Sequence, residues 1–208
     1  DQLTSKVLSA YGSPLAKTPE IDRLAGEGTV FRNAYCPYPL CGPSRMSMLT
    51  GKLASRVGAY DNAAEFRSEI PTMAHYLRTL GYQTCLSGKM HFVGADQLHG
   101  FEHRLTTDIY PSDFYWTENL ESRDVKQRSD DRRVRLSGVC DRSPQLDFDE
   151  LAMFRAEQYL YDRTRTPEDP FFLFVSLTHP HDPYYCQPEH FDLYSDNDVP
   201  LPAVDRIP

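Results

Sequence analysis

Long apolar runs are missing from this chain of 208 residues: the longest, residues 171–177, has the length of a buried strand rather than of a bilayer span. Nothing in it is therefore expected to cross a membrane. Positive charge is scarce too. The 22 Lys and Arg stand against 30 Asp and Glu, and the formal net charge of -8 disfavours a general attraction to nucleic acid or to an anionic membrane. An anionic ligand would need a local cluster of positive charge. The 5 cysteines are odd in number, irregularly spaced and too few for a secreted disulfide framework, so a reducing compartment, the cytoplasm, is the expected location. Internal repeats and low-complexity tracts are absent. The first residue is Asp1 and no signal-like segment precedes it, so the natural start is expected to lie outside the sequence.

What is present suffices for one core. With 40% hydrophobic and 12% aromatic residues, the chain can bury one sizeable core but hardly two, and residues 1–208 read as one domain or a piece of one. Thr18-Pro19-Glu20 is a helix start, with Thr18 as N-cap, and Gly26 and Gly28 end that helix. Thr29-Val30-Phe31 is a short strand candidate. The proline-rich run from Cys36 to Pro43 is a shaped loop, which places the start of the next helix at Pro43 and its end at Gly51. Residues 72–80 predict another helix, 82–86 a strand, 149–163 a third helix and 171–177 a continuous apolar strand. Helices alternating with buried strands predict an α/β fold with a mostly parallel central sheet flanked by helices on both faces. Active residues then belong on loops at strand C-termini, which selects the loop before Cys41, residues 87–93 and residues 178–184. Residues 118–146 differ in kind: Arg123, Lys126, Arg128, Arg132, Arg133 and Arg135 lie among acidic residues with few apolar ones, as in an exposed, charged excursion.

The sharpest local feature is Cys41-Gly42-Pro43-Ser44-Arg45, followed by Met46-Ser47-Met48-Leu49-Thr50-Gly51-Lys52. A cysteine beside a helix N-terminus, with an arginine one turn on, lies in a positive field suited to an anion. Several chemistries could use it. A tyrosine-phosphatase loop needs a longer run between cysteine and arginine than the three residues here, so that backbone N–H groups can ring a phosphate. A cysteine protease could draw a base from His75, His91, His179 or His181, but no papain-like or caspase-like sequence surrounds Cys41. A metal site on Cys36 and Cys41 would need a second close pair of ligands, and the other cysteines lie far off in sequence.

The block also matches, at every fixed position, the C-x-P-S-R then T-G signature of the type I sulfatases, the formylglycine-dependent family of the alkaline phosphatase superfamily. The resemblance continues through Tyr60-Asp61-Asn62-Ala63-Ala64-Glu65-Phe66, Ser87-Gly88-Lys89-Met90-His91-Phe92-Val93-Gly94, Asp96-Gln97-Leu98-His99-Gly100-Phe101-Glu102, Leu105-Thr106-Thr107-Asp108-Ile109-Tyr110-Pro111 and Thr178-His179-Pro180-His181-Asp182-Pro183-Tyr184. These segments are similar to the choline sulfatase branch, and the chain reads as the N-terminal, incomplete portion of such a catalytic domain.

The resemblance implies the chemistry. Cys41 would be converted to formylglycine by a separate generating enzyme that reads C-x-P-x-R. One hydroxyl of the hydrated aldehyde would attack the sulfur of a small sulfate ester; loss of the proton from the other would later expel sulfate. A divalent cation, usually calcium, with Mg2+ or Mn2+ as alternatives, would hold that group. Asp1 and Gln2 match the position of the family's first metal ligands, beside Cys41 itself. The later ligands, an Asp followed by Asn or His, have no counterpart before Pro208. Arg45 would brace the formylglycine, Lys89 and His91 would contact the sulfate and the nucleophile from one face of an extended segment, and His181 would protonate the leaving alcohol.

Choline would need an aromatic cage. Tyr110, Phe114, Tyr115 and Trp116 are available, but the charged stretch does not reproduce the family's further contacts, which leaves the alcohol open. A homo-oligomer is expected from the same resemblance. Two other readings stand beside it: phosphonate or phosphate monoester hydrolysis within the superfamily, and a noncatalytic relative that only binds its ligand.

Overall fold

A computed structural model describes residues 1–110, 112 and 132–199. In chain order its elements are helices α1 (Pro19–Glu27), α2 (Cys41–Thr50), α3 (Ala54–Val57) and α4 (Met73–Thr79), strands β1 (Gln83–Gly88) and β2 (His103–Arg104), helix α5 (Arg132–Arg135), strand β3 (Gly138–Val139), helix α6 (Pro144–Arg163), strands β4 (Phe171–Ser176) and β5 (Tyr185–Cys186), and helix α7 (Pro188–Phe191). They fall into two compact units. The first comprises Asp1, residues 35–130 and residues 144–179; the second comprises residues 2–34, 131–143 and 180–208.

In the first unit β1 is the central strand of a parallel sheet ordered β2-β1-β4. It pairs with β4 from Gln83↔Phe171 to Gly88↔Ser176 and with β2 at Cys85↔His103. A strand covered on both faces is buried at nearly every position, and β1 is buried from Thr84 onward. Leu86 belongs to one core cluster with Met46 and Leu49 of α2, Ala74 of α4 and Phe101, and Phe172 and Phe174 of β4 pack against that cluster. The other face meets α6, where Ser87 Oγ donates to Ala152 O at 2.7 Å. The buried small residues Ala152 and Ala156 let that helix approach closely. His99 is fully buried, its ring stacked on Phe66 at 4.2 Å and edge-on to Phe92 at 4.4 Å; burial pushes its pKa down to about 4, so it packs as a neutral aromatic disk.

The second unit holds α1 and the parallel pair β3–β5, in register at Gly138↔Tyr185 and Val139↔Cys186. Its Lys17 ties back to residues 193 and 194, with Nζ donating to Leu193 O and the backbone N–H to Tyr194 OH, each at 3.0 Å. Among the described residues no helix is long and apolar enough to cross a membrane.

Four expectations from sequence need correction. Residues 29–31 form no strand: three β-branched or aromatic residues alone do not make one without a partner ladder. Thr18 occupies the N-cap of α1 but makes no capping bond, because its hydroxyl is paired with Ser9 Oγ at 2.9 Å. Helix α2 begins at Cys41 rather than Pro43; the first four helical N–H groups have no intrahelical acceptor, so a proline in that turn forfeits nothing. Helix α6 begins at Pro144, five residues early, with proline in the first helical position it favours. This last shift takes residues 144–146 out of the charged excursion and buries Gln145. Residues 113–131, which carry the rest of that excursion's start and the aromatic candidates Phe114, Tyr115 and Trp116, lie outside the described residues.

Candidate active site

Three chain segments of the first unit converge at the C-terminal end of its sheet. Cys41 is the first residue of α2, and the Gly42 N–H beside it is satisfied by Asn62 Oδ1 at 2.9 Å, a capping bond that Leu40 at the N-cap cannot supply. Asp1 is anchored beside β4, its backbone nitrogen donating to Leu177 O at 3.0 Å. A carboxylate oxygen of Asp1 and Cys41 Sγ lie within 4.8 Å of one another. From the end of β1 come Lys89 and His91.

Gly88 makes that last segment possible. It has φ of +105°, and a Cβ added there would lie 2.0 Å from Ser176 O, so only glycine fits where β1 presses against β4. The next residue keeps the pairing, with Lys89 N donating to Ser176 O at 2.9 Å, and then the chain turns. His91 stands in the left-handed region with φ of +57°. Lys89 and His91 therefore share the site through a turn, not through the strand alternation expected from sequence; β1 has already ended at Gly88.

Charge is concentrated and dry here. Lys89 is 0% exposed, with Nζ at 2.7 Å from Asp1 Oδ2 and 4.3 Å from the centroid of Tyr110. Arg45 is 11% exposed and holds four partners: Nη2 reaches Asp1 Oδ2 at 3.3 Å, while Nη1 donates to Lys89 O at 2.9 Å and Ser176 Oγ at 2.8 Å and touches Met90 Sδ at 3.8 Å. Burial lowers the Arg45 pKa from its ordinary value, with the Cys41 and Asp108 groups acting in the opposite sense. His91 is 3% exposed; its Nε2 donates to the backbone carbonyl of Asn62 at 3.1 Å, which leaves the neutral ring's lone pair on Nδ1. Burial lowers its pKa too, the Asp108 carboxylate opposing and the Lys89 and Arg45 charges adding to the effect.

The remaining sequence candidates fall in the second unit. Gln2 Nε2 donates to Asp182 Oδ1 at 3.2 Å. His181 is buried, and its Nδ1 donates to Asp182 O at 2.6 Å with Asp182 Oδ1 at 3.2 Å, which places the lone pair of the neutral ring on Nε2. Of the other histidines considered as bases, His75 is a helix-capping residue, its ring nitrogen paired with Thr72 N. His179 Nδ1 is bound to Asp149 Oδ2 at 2.7 Å, and the same carboxylate accepts from Thr178 N and His179 N.

Sequence reasoning assigned no role to Asn62, Asp108 or Asp149, although all three bind backbone N–H groups beside site residues. Asn62 and Asp108 lay in segments that carried the family resemblance, which was the available signal.

A carboxylate, a helix-start cysteine in C-x-P-S-R and three buried cations or imidazoles at the C-terminal end of a parallel sheet define a site for a tetrahedral anion. A family model described as Sulfatase matches residues 1–200, and the chain belongs to the sulfatase family. Among its relatives, the choline-sulfatase of Rhizobium meliloti is 46% identical over 100% of this chain and 42% of its own length. The N-acetylglucosamine-6-O-sulfatase of Bacteroides thetaiotaomicron is 30% identical over 98% of this chain and 33% of its own. Two solved structures share the fold. One, a protein in complex with its substrate D-glucosamine-2-N,6-O-disulfate, superposes with a TM-score of 0.70 at 27% identity, covering 98% of this chain and 37% of that one. The other, the phosphonate monoester hydrolase of Silicibacter pomeroyi, has a TM-score of 0.70 at 25% identity, covering 100% and 45%. The chain thus spans less than half the length of these relatives.

Proposed function

We propose that this chain is the N-terminal portion of a sulfatase catalytic domain, and that the complete protein hydrolyses the sulfate ester of a small organic alcohol, choline sulfate foremost. The observation that carries the reading is Cys41 at the start of α2, inside C-x-P-S-R, with the Asp1 carboxylate within 4.8 Å and Lys89 and Arg45 on that carboxylate. The 46% identity to a choline-sulfatase supports the choice of substrate. A separate formylglycine-generating enzyme is the partner this requires.

The donor set fits a hard divalent cation, calcium first. Asp1 offers carboxylate oxygen, and position 41 would offer oxygen in place of sulfur once oxidised, whereas a thiolate would favour a softer ion; the amide oxygen of Gln2 is added by the family resemblance alone. When bound, such a cation would stabilise negative charge at the nucleophilic oxygen. Formylglycine at position 41 would supply that oxygen.

The chain's own residues do the rest. Arg45, held by Ser176 Oγ and Lys89 O as well as by the Asp1 carboxylate, has its charge already placed at the site. Lys89 contributes a second fixed cation for the non-bridging oxygens, in a setting dry enough that its field is weakly screened. His91, with Nε2 committed to Asn62 O, presents Nδ1 as the atom that takes or returns a proton at the nucleophile. The general-acid role for the leaving alcohol is the one the family resemblance gives to His181, whose Nδ1 is committed to Asp182 O.

A phosphonate or phosphate monoester is the second reading, favoured by the equal superposition on the Silicibacter pomeroyi hydrolase. Rates of the complete, matured protein on choline sulfate, 4-nitrophenyl sulfate and phenyl methylphosphonate separate the two. The sulfatase reading expects kcat/KM for a sulfate ester to exceed that for the phosphonate by at least about 10-fold, roughly 1.4 kcal/mol of transition-state discrimination. A phosphonate preference of that size would replace it.

A further inference from the structure

The turn that carries Lys89 and His91 has left the sheet, so its backbone N–H groups need acceptors from elsewhere. One carboxylate provides them. Asp108 Oδ2 accepts from Met90 N at 2.9 Å and from His91 N at 2.7 Å. Arg104 Nη2 donates to the same oxygen at 2.9 Å, and both side chains are buried, Asp108 at 3% and Arg104 at 9% exposure.

Arg104 is itself fixed on three further acceptors: Gln97 Oε1 at 2.6 Å, Gln97 O at 3.1 Å and Thr106 O at 3.1 Å. Gln97 Nε2 then donates to Phe92 O at 3.0 Å and Gly94 O at 2.8 Å. A chain of three side chains, Gln97, Arg104 and Asp108, thus holds residues 90–94 at both their N–H and their C=O groups. His91 could not keep its left-handed φ on intrinsic preference, since that region is unfavourable for a residue with a Cβ.

We propose that Asp108, oriented by Arg104, is a positioning residue for catalysis: by binding the Met90 and His91 amides it holds the turn that faces Lys89 and His91 into the Cys41 site. The proposal rests on the sulfatase reading above, and it goes beyond it, because the hydrogen bonds of Asp108 and Arg104 run to the turn, to Gln97 and Thr106, and to each other rather than to Cys41 or Asp1. A residue that merely supports the fold would lower the amount of folded protein and leave each folded site with its normal rate. A positioning residue lowers kcat per site. Misplacing a reacting group by about 1 Å costs roughly 10²-fold.

The test uses the complete, matured protein, with sites counted by formylglycine content and 4-nitrophenyl sulfate as probe. Asp108→Ala is expected to lower kcat by about 10²-fold with KM within about 3-fold of wild type. Asp108→Asn, which keeps an acceptor oxygen for the two amides, is expected to recover all but about 10-fold of the rate. Amide exchange read on peptides covering residues 88–93 is expected to rise in Asp108→Ala while the β1 peptide stays protected. If Asp108→Ala fails to fold, Arg104→Gln, which leaves the carboxylate in place but unoriented, carries the same measurements, with kcat again lowered at constant KM. An unchanged kcat per site, a rise in KM alone, or unchanged exchange over residues 88–93 overturns the proposal. Wild-type protein without turnover is a failure of the sulfatase reading instead, and the exchange arm still decides whether the clamp exists.

Discussion

Gly88→Ala in the complete protein is expected to lower stability by about 3 kcal/mol or more and to remove with it most of the sulfate-ester hydrolysis proposed above. Two costs coincide at this position. The backbone has φ of +105°, which a side chain disfavours, and the new Cβ would lie 2.0 Å from a backbone oxygen, that of Ser176, which cannot rotate away as a side chain could. Relief requires β1 and β4 to separate at the register pair Gly88↔Ser176. That movement carries Lys89, whose N–H is bound to Ser176 O, and Arg45, whose Nη1 is bound to Ser176 Oγ. Thermal melting and turnover measured on the same sample read both effects. A variant that melts and reacts like wild type would mean that the strands do not approach as described.

Lys89→Ala is expected to cut kcat/KM on a sulfate ester by at least about 10²-fold, the scale of losing one preorganised charge donor. The ammonium is fully buried and 2.7 Å from Asp1 Oδ2, so its removal leaves that carboxylate with Arg45 at 3.3 Å as its remaining cation among the contacts described here. Breaking a buried pair also destabilises, by about 3–5 kcal/mol, and a fall in melting temperature should accompany the loss. Lys89→Arg should not rescue it: the larger planar guanidinium cannot enter a fully buried slot between Asp1 and the face of Tyr110 without displacing one of them. The kinetic constants of both variants decide the matter, and activity within a few-fold of wild type in either would remove Lys89 from the account.

The sequence made the parts with local signals legible. Apolar periodicity and breakers located α4, β1 and β4 to within a residue or two, and placed a helix beside the cysteine motif, two residues late at its start. It failed where the answer depended on partners distant in the chain. Residues 29–31 have strand composition, yet no strand lies beside them among the described residues. His75 and His179 had the residue type of a general base, but one caps a helix and the other is committed to Asp149. Lys89 and His91 were paired by a parity argument that put them on one face of a strand, whereas β1 ends at Gly88 and a left-handed turn at His91 follows it. Asp108 drew no role from its residue type, because its partners are backbone N–H groups 17 and 18 positions away; its place in a segment of family resemblance was the available signal.

The most direct measurement of the central claim is the mass of the tryptic peptide spanning residues 33–45, after expression with a formylglycine-generating enzyme, compared with the same peptide from Cys41→Ala. The motif is complete within Cys41-Gly42-Pro43-Ser44-Arg45, so conversion is expected whether or not the rest of the protein is present. A mass corresponding to aldehyde in place of thiol, seen in the wild-type peptide alone, is the predicted result. An unmodified thiol at Cys41, under conditions that convert a control substrate, would contradict the account at its base and leave ligand binding without turnover as the better description of this site.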